Sequence, residues 1–207
     1  ELKPELVAPF LSVFAEEDPY TFLLQYEPLD TGRIYTERAL NLLYDEYGYG
    51  IYESLASEAM SANALISSFE YVGNRLVSED IDKARRWLFE KRFNVDAGAT
   101  ATVARNVIAA DVASGNSSAQ AALDWGLSNQ LIPPYDPVVF DTIERLTGQS
   151  VDEAIRTVGA LQDKYGDSLK YLRDMLPVEI SESVGGLGVN TEVDVSEAPL
   201  PDDTPAN

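Results

Sequence analysis

The chain has 207 residues, of which 45% are hydrophobic, and it carries a formal net charge of −20. It contains no cysteine and no histidine, which excludes disulfides, thiolate metal sites, Ser-His-Asp triads and HExxH zinc sites. The length suits one domain with appendages, and the absence of any run of 18 apolar residues predicts that nothing spans a membrane.

The negative charge is concentrated at the two ends of the chain. Residues 1–30 hold seven acids and one base, and residues 177–207 hold seven acids and no base. Residues 31–176 hold 21 acids and 14 bases, so this part is only mildly acidic. We therefore predict an N-terminal acidic segment (1–30) packed on a helical body (31–176), followed by an extended acidic arm (177–207). The charge either keeps the protein soluble or attracts basic partners, and it disfavours direct contact with nucleic acid.

The first elements in chain order are two helices separated by an ambiguous run. Residues 4–16 predict a short helix that Asp18-Pro19 ends. The apolar run from Tyr20 to Tyr26 is too short for periodicity to distinguish helix from strand. Residues 33–47 predict a second helix, whose apolar face begins at Ile34.

Aromatic and acidic residues surround the hinge that Gly48 and Gly50 form after this second helix. Aromatic rings beside carboxylates are typical of sites that bind a sugar or a cation. The alternative is a helix-hinge-helix corner whose rings cover the edge of the core. Three nearby acids, Asp45, Glu46 and Glu53, are the best carboxylate candidates for a glycosidase, although spacing alone carries no information. The candidate binding residues are the tyrosine cluster (Tyr44, Tyr47, Tyr49 and Tyr52) and Glu53.

The rest of the chain is organised around a long helix predicted near residues 51–77. Apolar and small residues recur there at steps of three and four, and no proline interrupts them. Leu55, Ile66 and Phe69 are expected to be nearly fully buried. The stretch is apolar on more than one side, as in a helix covered by neighbours. It is interpreted as the core of a bundle, with a lipid or ligand groove as the alternative.

The next predicted helix runs from a cap at Ser78 to Phe93 and overlaps the one basic cluster of the sequence. Six of the chain's fifteen bases lie between positions 75 and 92. One interpretation is a solvated helix face whose bases pair with acids four residues away, such as Lys83 with Glu79. The other is a docking site for an acidic segment of this chain or of a neighbouring copy. We call these residues the basic patch: Arg75, Lys83, Arg85, Arg86, Lys91 and Arg92.

Further helices are predicted over 99–113, 118–130, 137–146 and 150–165, with a last short one after Asp167. Ser117-Ser118 and Asp136-Pro137 are expected to start two of them, and Ser150 with Glu153 matches a capping box. Regular helices with short breaks and no internal repeat predict an all-α fold, an irregular multi-helix bundle around the helix at 51–77.

The pattern changes after residue 176. Two runs alternate apolar and polar residues around Gly185-Gly186-Leu187-Gly188, which predicts an extended or β-hairpin arm. The apolar positions expected to make contacts are Val178, Ile180, Val193 and Val195.

These features favour a non-enzymatic structural or interaction subunit of a larger assembly, with terminal arms between subunits. A virion would suit such a subunit. We expect protein partners, in a homo-oligomer or larger particle, and no cofactor or metal. Two alternatives are a carbohydrate-binding or carbohydrate-processing domain that uses the tyrosine cluster, and an acidic mimic of DNA. The position of the charge at the ends argues against the mimic.

Overall fold

A computed structural model describes residues 4–58 and 60–176, with side chains from residue 7 onward. These ranges are helical and contain no strand, which confirms the predicted all-α class. The arm predicted for 177–207, including Val178, Ile180, Val193 and Val195, lies outside the described residues. The α-helices are α1 (Pro4–Glu17), α2 (Pro19–Gln25), α3 (Ile34–Tyr47), α4 (Ile51–Ala56), α5 (Ala62–Glu79), α6 (Ile81–Lys91), α7 (Ala97–Ser114), α8 (Ala119–Ser128), α9 (Pro137–Gln149) and α10 (Val151–Tyr165). Three 3-10 segments accompany them, at Glu27–Leu29, Gly48–Gly50 and Gly166–Met175.

Short polar side chains start most of these helices. The predicted caps Ser118, Asp136 and Ser150 each accept a hydrogen bond from a backbone N–H of the first turn of α8, α9 and α10. Asp80, rather than the predicted Ser78, caps α6, and its carboxylate accepts from the N–H of Lys83 at 3.0 Å. Helix α5 runs through position 78, so the boundary lies two residues later than the sequence pattern indicated.

The helix predicted near 51–77 is wrong as a single element, because α4 ends at Ala56 and α5 begins at Ala62. Ser61 starts the second helix, since its Oγ accepts from the N–H of Ala64 at 3.0 Å. The same hydroxyl donates to the buried carboxylate of Glu27 at 3.1 Å. The cap at Ser61 and its hydrogen bond to Glu27 thus break the helix, although the apolar residues keep a helical spacing across the break. Helix α5 still occupies the centre, packing against α3, α4, α6 and α7.

Burial follows the expected pattern at most apolar positions. Leu55 and Phe69 are fully buried, whereas Ile66 is only half-buried. Ile34 is exposed because α3 buries the face that contains Thr36 and Leu40. Position 34 lies two residues before that face, which places it about 200° around the helix from Thr36.

Most helices that follow each other in the chain are also neighbours in space. Helix α1 packs on α2 and α3, and α2 packs on α3. The same holds for α5 with α6, α6 with α7, α7 with α8, and α9 with α10. The core is therefore built mainly by successive elements, as short connections favour.

Helices α5, α6 and α7 meet closely at Gly73. A Cβ atom at this position would lie 2.6 Å and 2.8 Å from the two γ-methyl carbons of Val103 on α7, and 3.3 Å from the ring of Trp87 on α6. Only the absence of a side chain allows this approach. Phe69 and Tyr52 complete the contact, with their rings edge-to-face at 5.5 Å between centroids.

Within the residues described, none of the helices combines the length and the apolar character that crossing a bilayer requires.

We expect Gly73→Ala to lower the free energy of unfolding by about 1–3 kcal/mol, because the added methyl overpacks a buried site. Gly159→Ala is the matched control, since a Cβ there meets nothing within 4 Å. The control should raise stability by about 0.5–1 kcal/mol. Urea unfolding followed by circular dichroism measures both, and equal stabilisation by the two changes would contradict the close approach of α5 and α7.

Candidate interaction site

The four members of the tyrosine cluster do not share one environment. Tyr52 is 1% exposed and Tyr44 is 6% exposed, so both rings belong to the core. Tyr47 and Tyr49 are 56% and 44% exposed. The cluster therefore presents two rings to the surface rather than a platform of four.

Tyr52 packs inside an aromatic group with Phe69 and Trp87. Its ring meets both of them edge-to-face, at 5.5 Å and 5.6 Å between centroids. This geometry is favourable for aromatic quadrupoles, in addition to the area that the rings bury. As placed, the Tyr52 ring is a structural element of the junction between α4, α5 and α6.

Tyr44 connects α3 to the end of α5. Its hydroxyl donates to Oε2 of Glu79 at 3.0 Å, and the guanidinium of Arg75 lies 5.0 Å from the centre of its ring. Burial, together with the hydrogen bond to the Glu79 carboxylate, raises the pKa of Tyr44 to about 12. Glu79 is thus engaged by Tyr44 and by Arg75, which leaves Lys83 to interact elsewhere.

The basic patch faces the tyrosine cluster, although the two are separate in the sequence. Lys83 places its ammonium 4.1 Å from the centre of the Tyr49 ring. Lys91 forms an ion pair with Glu53 at 2.9 Å. These contacts show that Lys83 and Lys91 interact with the tyrosine cluster and Glu53 of the same chain. Lys83 also occupies one face of the Tyr49 ring, the kind of face on which a sugar would stack.

The carboxylates considered for catalysis are engaged in the same way. Asp45 lies 3.5 Å from the guanidinium of Arg75, and Glu53 is held by Lys91. The neighbouring Glu46 carboxylate raises the pKa of the Tyr47 phenol. These acids act as counter-ions and acceptors in the structure. Across the described part of the chain, no group of three or more acids is arranged to hold a metal ion.

Arg85 serves a structural role beneath the patch. Its guanidinium donates to the buried carboxylate of Asp111 on α7 and lies 5.1 Å from the centre of the Trp125 ring on α8. One side chain thereby joins three helices. The burial of Asp111 makes the ion pair necessary, because an unpaired carboxylate would be costly there.

Two cations of the patch, the exposed Arg86 and the half-buried Arg92, have no acidic partner among the described residues, and they belong to what we call the outer face of α6. Arg86 is exposed and forms no ion pair with any described residue. Arg92 stacks on two exposed rings, with its guanidinium carbon 3.7 Å and 4.3 Å from their centres. The outer face of α6 comprises Arg86 and Phe89 on the helix, and Arg92 and Phe93 in the turn that follows it.

Phe89 and Phe93 were not among the residues that the sequence singled out. The helical period does contain a signal for them, since the buried positions Ala84, Trp87 and Leu88 define the inward face. Phe89 lies away from that face on the helix, and Phe93 follows in the turn after α6.

Comparison with known proteins supplies no relative for this chain: no protein-family model, no curated protein and no solved structure matches it.

We expect Arg85→Ala to lower the free energy of unfolding by about 3–5 kcal/mol, because it leaves Asp111 buried without a partner. The matched change on the same helix, Arg86→Ala, removes an exposed charge and should alter stability by no more than about 0.5 kcal/mol. Chemical unfolding of both variants separates the structural cation from the surface cation. Equal effects would contradict this division of the patch.

The raised pKa of Tyr44 predicts a loss of stability at alkaline pH. The unfolded phenol ionises near its ordinary pKa of 10.0, whereas the folded one ionises at about 12. The free energy of unfolding should therefore fall as the pH rises from about 10 to about 12. Tyr44→Phe should be less stable at neutral pH and should lose less over this range. Tyr49→Phe, a change on a half-exposed ring, is the control and should follow the wild type.

Proposed function

We propose that this chain is a non-enzymatic interaction subunit of a larger multi-subunit assembly, of which a virion is one kind. The observation that supports the proposal is the outer face of α6, where the Phe93 ring is 82% exposed beside Arg92. Aromatic residues and arginine are enriched at protein interfaces and among their energetic hot spots. Covering an exposed phenylalanine side chain contributes about 1.5–3 kcal/mol to association.

The charge of this face selects the kind of partner. Arg86 and Arg92 have no acidic partner among the described residues, in contrast to Arg75, Arg85 and Lys91. An acidic segment with apolar residues would complement two cations and two rings. Residues 177–207 have this composition, with seven acids and no base.

The partner we propose is the arm (177–207) of a neighbouring copy. Fully extended, its 31 residues reach at most about 110 Å, which exceeds the radius of a domain of this size several-fold. Exposed ion pairs contribute little individually. The apolar residues Val178, Ile180, Val193 and Val195 should therefore supply most of the affinity, and the acids should supply orientation.

The test combines truncation with a change on the outer face of α6. We expect deletion of residues 177–207 and Phe93→Asp each to lower the particle mass measured by light scattering, with helicity by circular dichroism unchanged. Val13→Asp, at an exposed apolar position on α1, is the matched control and should assemble normally. Added salt should weaken assembly only modestly, because apolar contacts dominate.

Three outcomes would contradict the proposal. If the untruncated chain remains monomeric, it is not an assembly subunit. If truncation leaves both the particle mass and the helicity unchanged, the arm has no role in assembly. If Tyr49→Phe or Glu53→Gln leaves assembly intact but abolishes binding of a sugar that the wild type binds, the carbohydrate alternative replaces this one.

A further inference from the structure

Three aromatic rings stack on one another near the end of the described chain. The ring of Tyr171 lies 4.9 Å from that of Tyr135 and 4.7 Å from that of Phe140, measured between centroids, and both pairs are nearly parallel. The Tyr171 hydroxyl donates to the carbonyl of Pro134 at 2.6 Å, which holds the ring beside the loop before α9. Tyr135 nevertheless remains 62% exposed. The aromatic stack (Tyr135, Phe140 and Tyr171) therefore presents a firmly held ring to solvent.

The surroundings of the aromatic stack are close to electrical neutrality, although the whole chain has a net charge of −20. Asp136, which follows Tyr135, is buried, and Arg105 neutralises it through two hydrogen bonds of 2.9 Å, one to each carboxylate oxygen. The 3-10 segment Gly166–Met175, which carries Tyr171, holds two acids and two bases. An acidic peptide is therefore not strongly repelled from this surface.

An exposed tyrosine ring of this kind suits a proline-rich ligand. Proline-rich segments dock on aromatic side chains in the polyproline II conformation, which is populated before binding and so costs little conformational entropy. The last twelve residues of the chain, which we call the tail (196–207), contain Pro199, Pro201 and Pro205 with three acids and no base. The tail thus has the composition that the aromatic stack would recognise.

The position of the chain end favours the tail over a separate ligand. The described residues end at Leu176, which is 4% exposed and only five residues beyond Tyr171, so the arm starts beside the aromatic stack. The 22 residues between Leu176 and Pro199 span about 25 Å in random-coil statistics. A covalent connection of this length gives an effective concentration on the order of millimolar, so even a weak contact would be occupied.

We propose that the tail docks on the aromatic stack of its own chain, with Pro199 and Pro201 against the exposed ring of Tyr135. The hairpin predicted for 178–195 would return the chain to its point of departure, which leaves that part of the arm available to a neighbouring copy. The inference does not rest on the proposed assembly, because the tail can dock whether or not two chains associate.

Disulfide trapping tests the contact, because the chain has no cysteine of its own and an introduced pair has no competitor. Pro133→Cys, at an exposed position two residues before Tyr135, is combined with Thr204→Cys in the otherwise complete chain. Under mild oxidation we expect a disulfide within one chain, which shifts the monomer band in non-reducing electrophoresis. Bonds between chains would give a dimer band instead.

Asp163→Cys with Thr204→Cys is the matched control. Position 163 is exposed on α10, which packs against Gly166–Met175, so it also lies near the start of the arm. The change removes an acid and would favour approach of the acidic tail, which makes the control stringent. We expect the disulfide yield within one chain to be several-fold lower than with Pro133→Cys.

Two further changes in the Pro133→Cys and Thr204→Cys chain test the contacting rings. Replacing both Pro199 and Pro201 by serine should lower the yield several-fold, and so should Tyr135→Ala. Tyr47→Ala, on a ring that is 56% exposed on α3, should leave the yield unchanged. Circular dichroism checks that helicity is retained, and the serine changes lie outside the helical body.

Three results would overturn the inference. One is equal capture of the tail by Pro133→Cys and Asp163→Cys. Another is a disulfide that forms mainly between two chains, which would assign the tail to a neighbouring copy. The third is an unchanged yield when both prolines are replaced by serine.

Discussion

The close approach of α5 to α7 at Gly73 is the constraint on which the rest of the structure depends. With no side chain between the helix and Val103, the buried face of α5 presses Phe69 against Tyr52 and Trp87. This contact determines which way the remaining faces of α5 point. Ser67 and Arg75 consequently lie on the side of α3, in a groove that Thr36 and Leu40 also line. One small residue therefore positions both the aromatic core and the face of α5 that meets α3.

Features with a local cause were predictable from the sequence. The caps Ser118, Asp136 and Ser150 act on backbone groups two or three residues away, so the helices they start were placed correctly. The break between α4 and α5 was missed because Ser61 is held from outside, by Glu27. Apolar spacing continues across the break, and periodicity alone therefore favoured one long helix.

The candidate sites also combine features that the sequence shows with features that depend on how the helices pack. Residue types identified a basic patch and a tyrosine cluster, but the pairings Lys83 with Tyr49 and Lys91 with Glu53 depend on how α4 packs against α6. The groove that residues of α3 and α5 line together had no sequence signal at all. Its residues come from two helices, and an unpartnered hydroxyl such as that of Ser67 is defined only by what surrounds it.

The succession of neighbouring helices has a consequence for how the chain is made. Because α1, α2 and α3 pack on one another, and α5, α6 and α7 do the same, few long loops must close before apolar surface is covered. Topologies with local contacts fold quickly. On the ribosome, each helix emerging from the exit tunnel would find its partner already synthesised. Vectorial synthesis would then expose little unpaired apolar surface at any moment, which protects the nascent chain from premature aggregation.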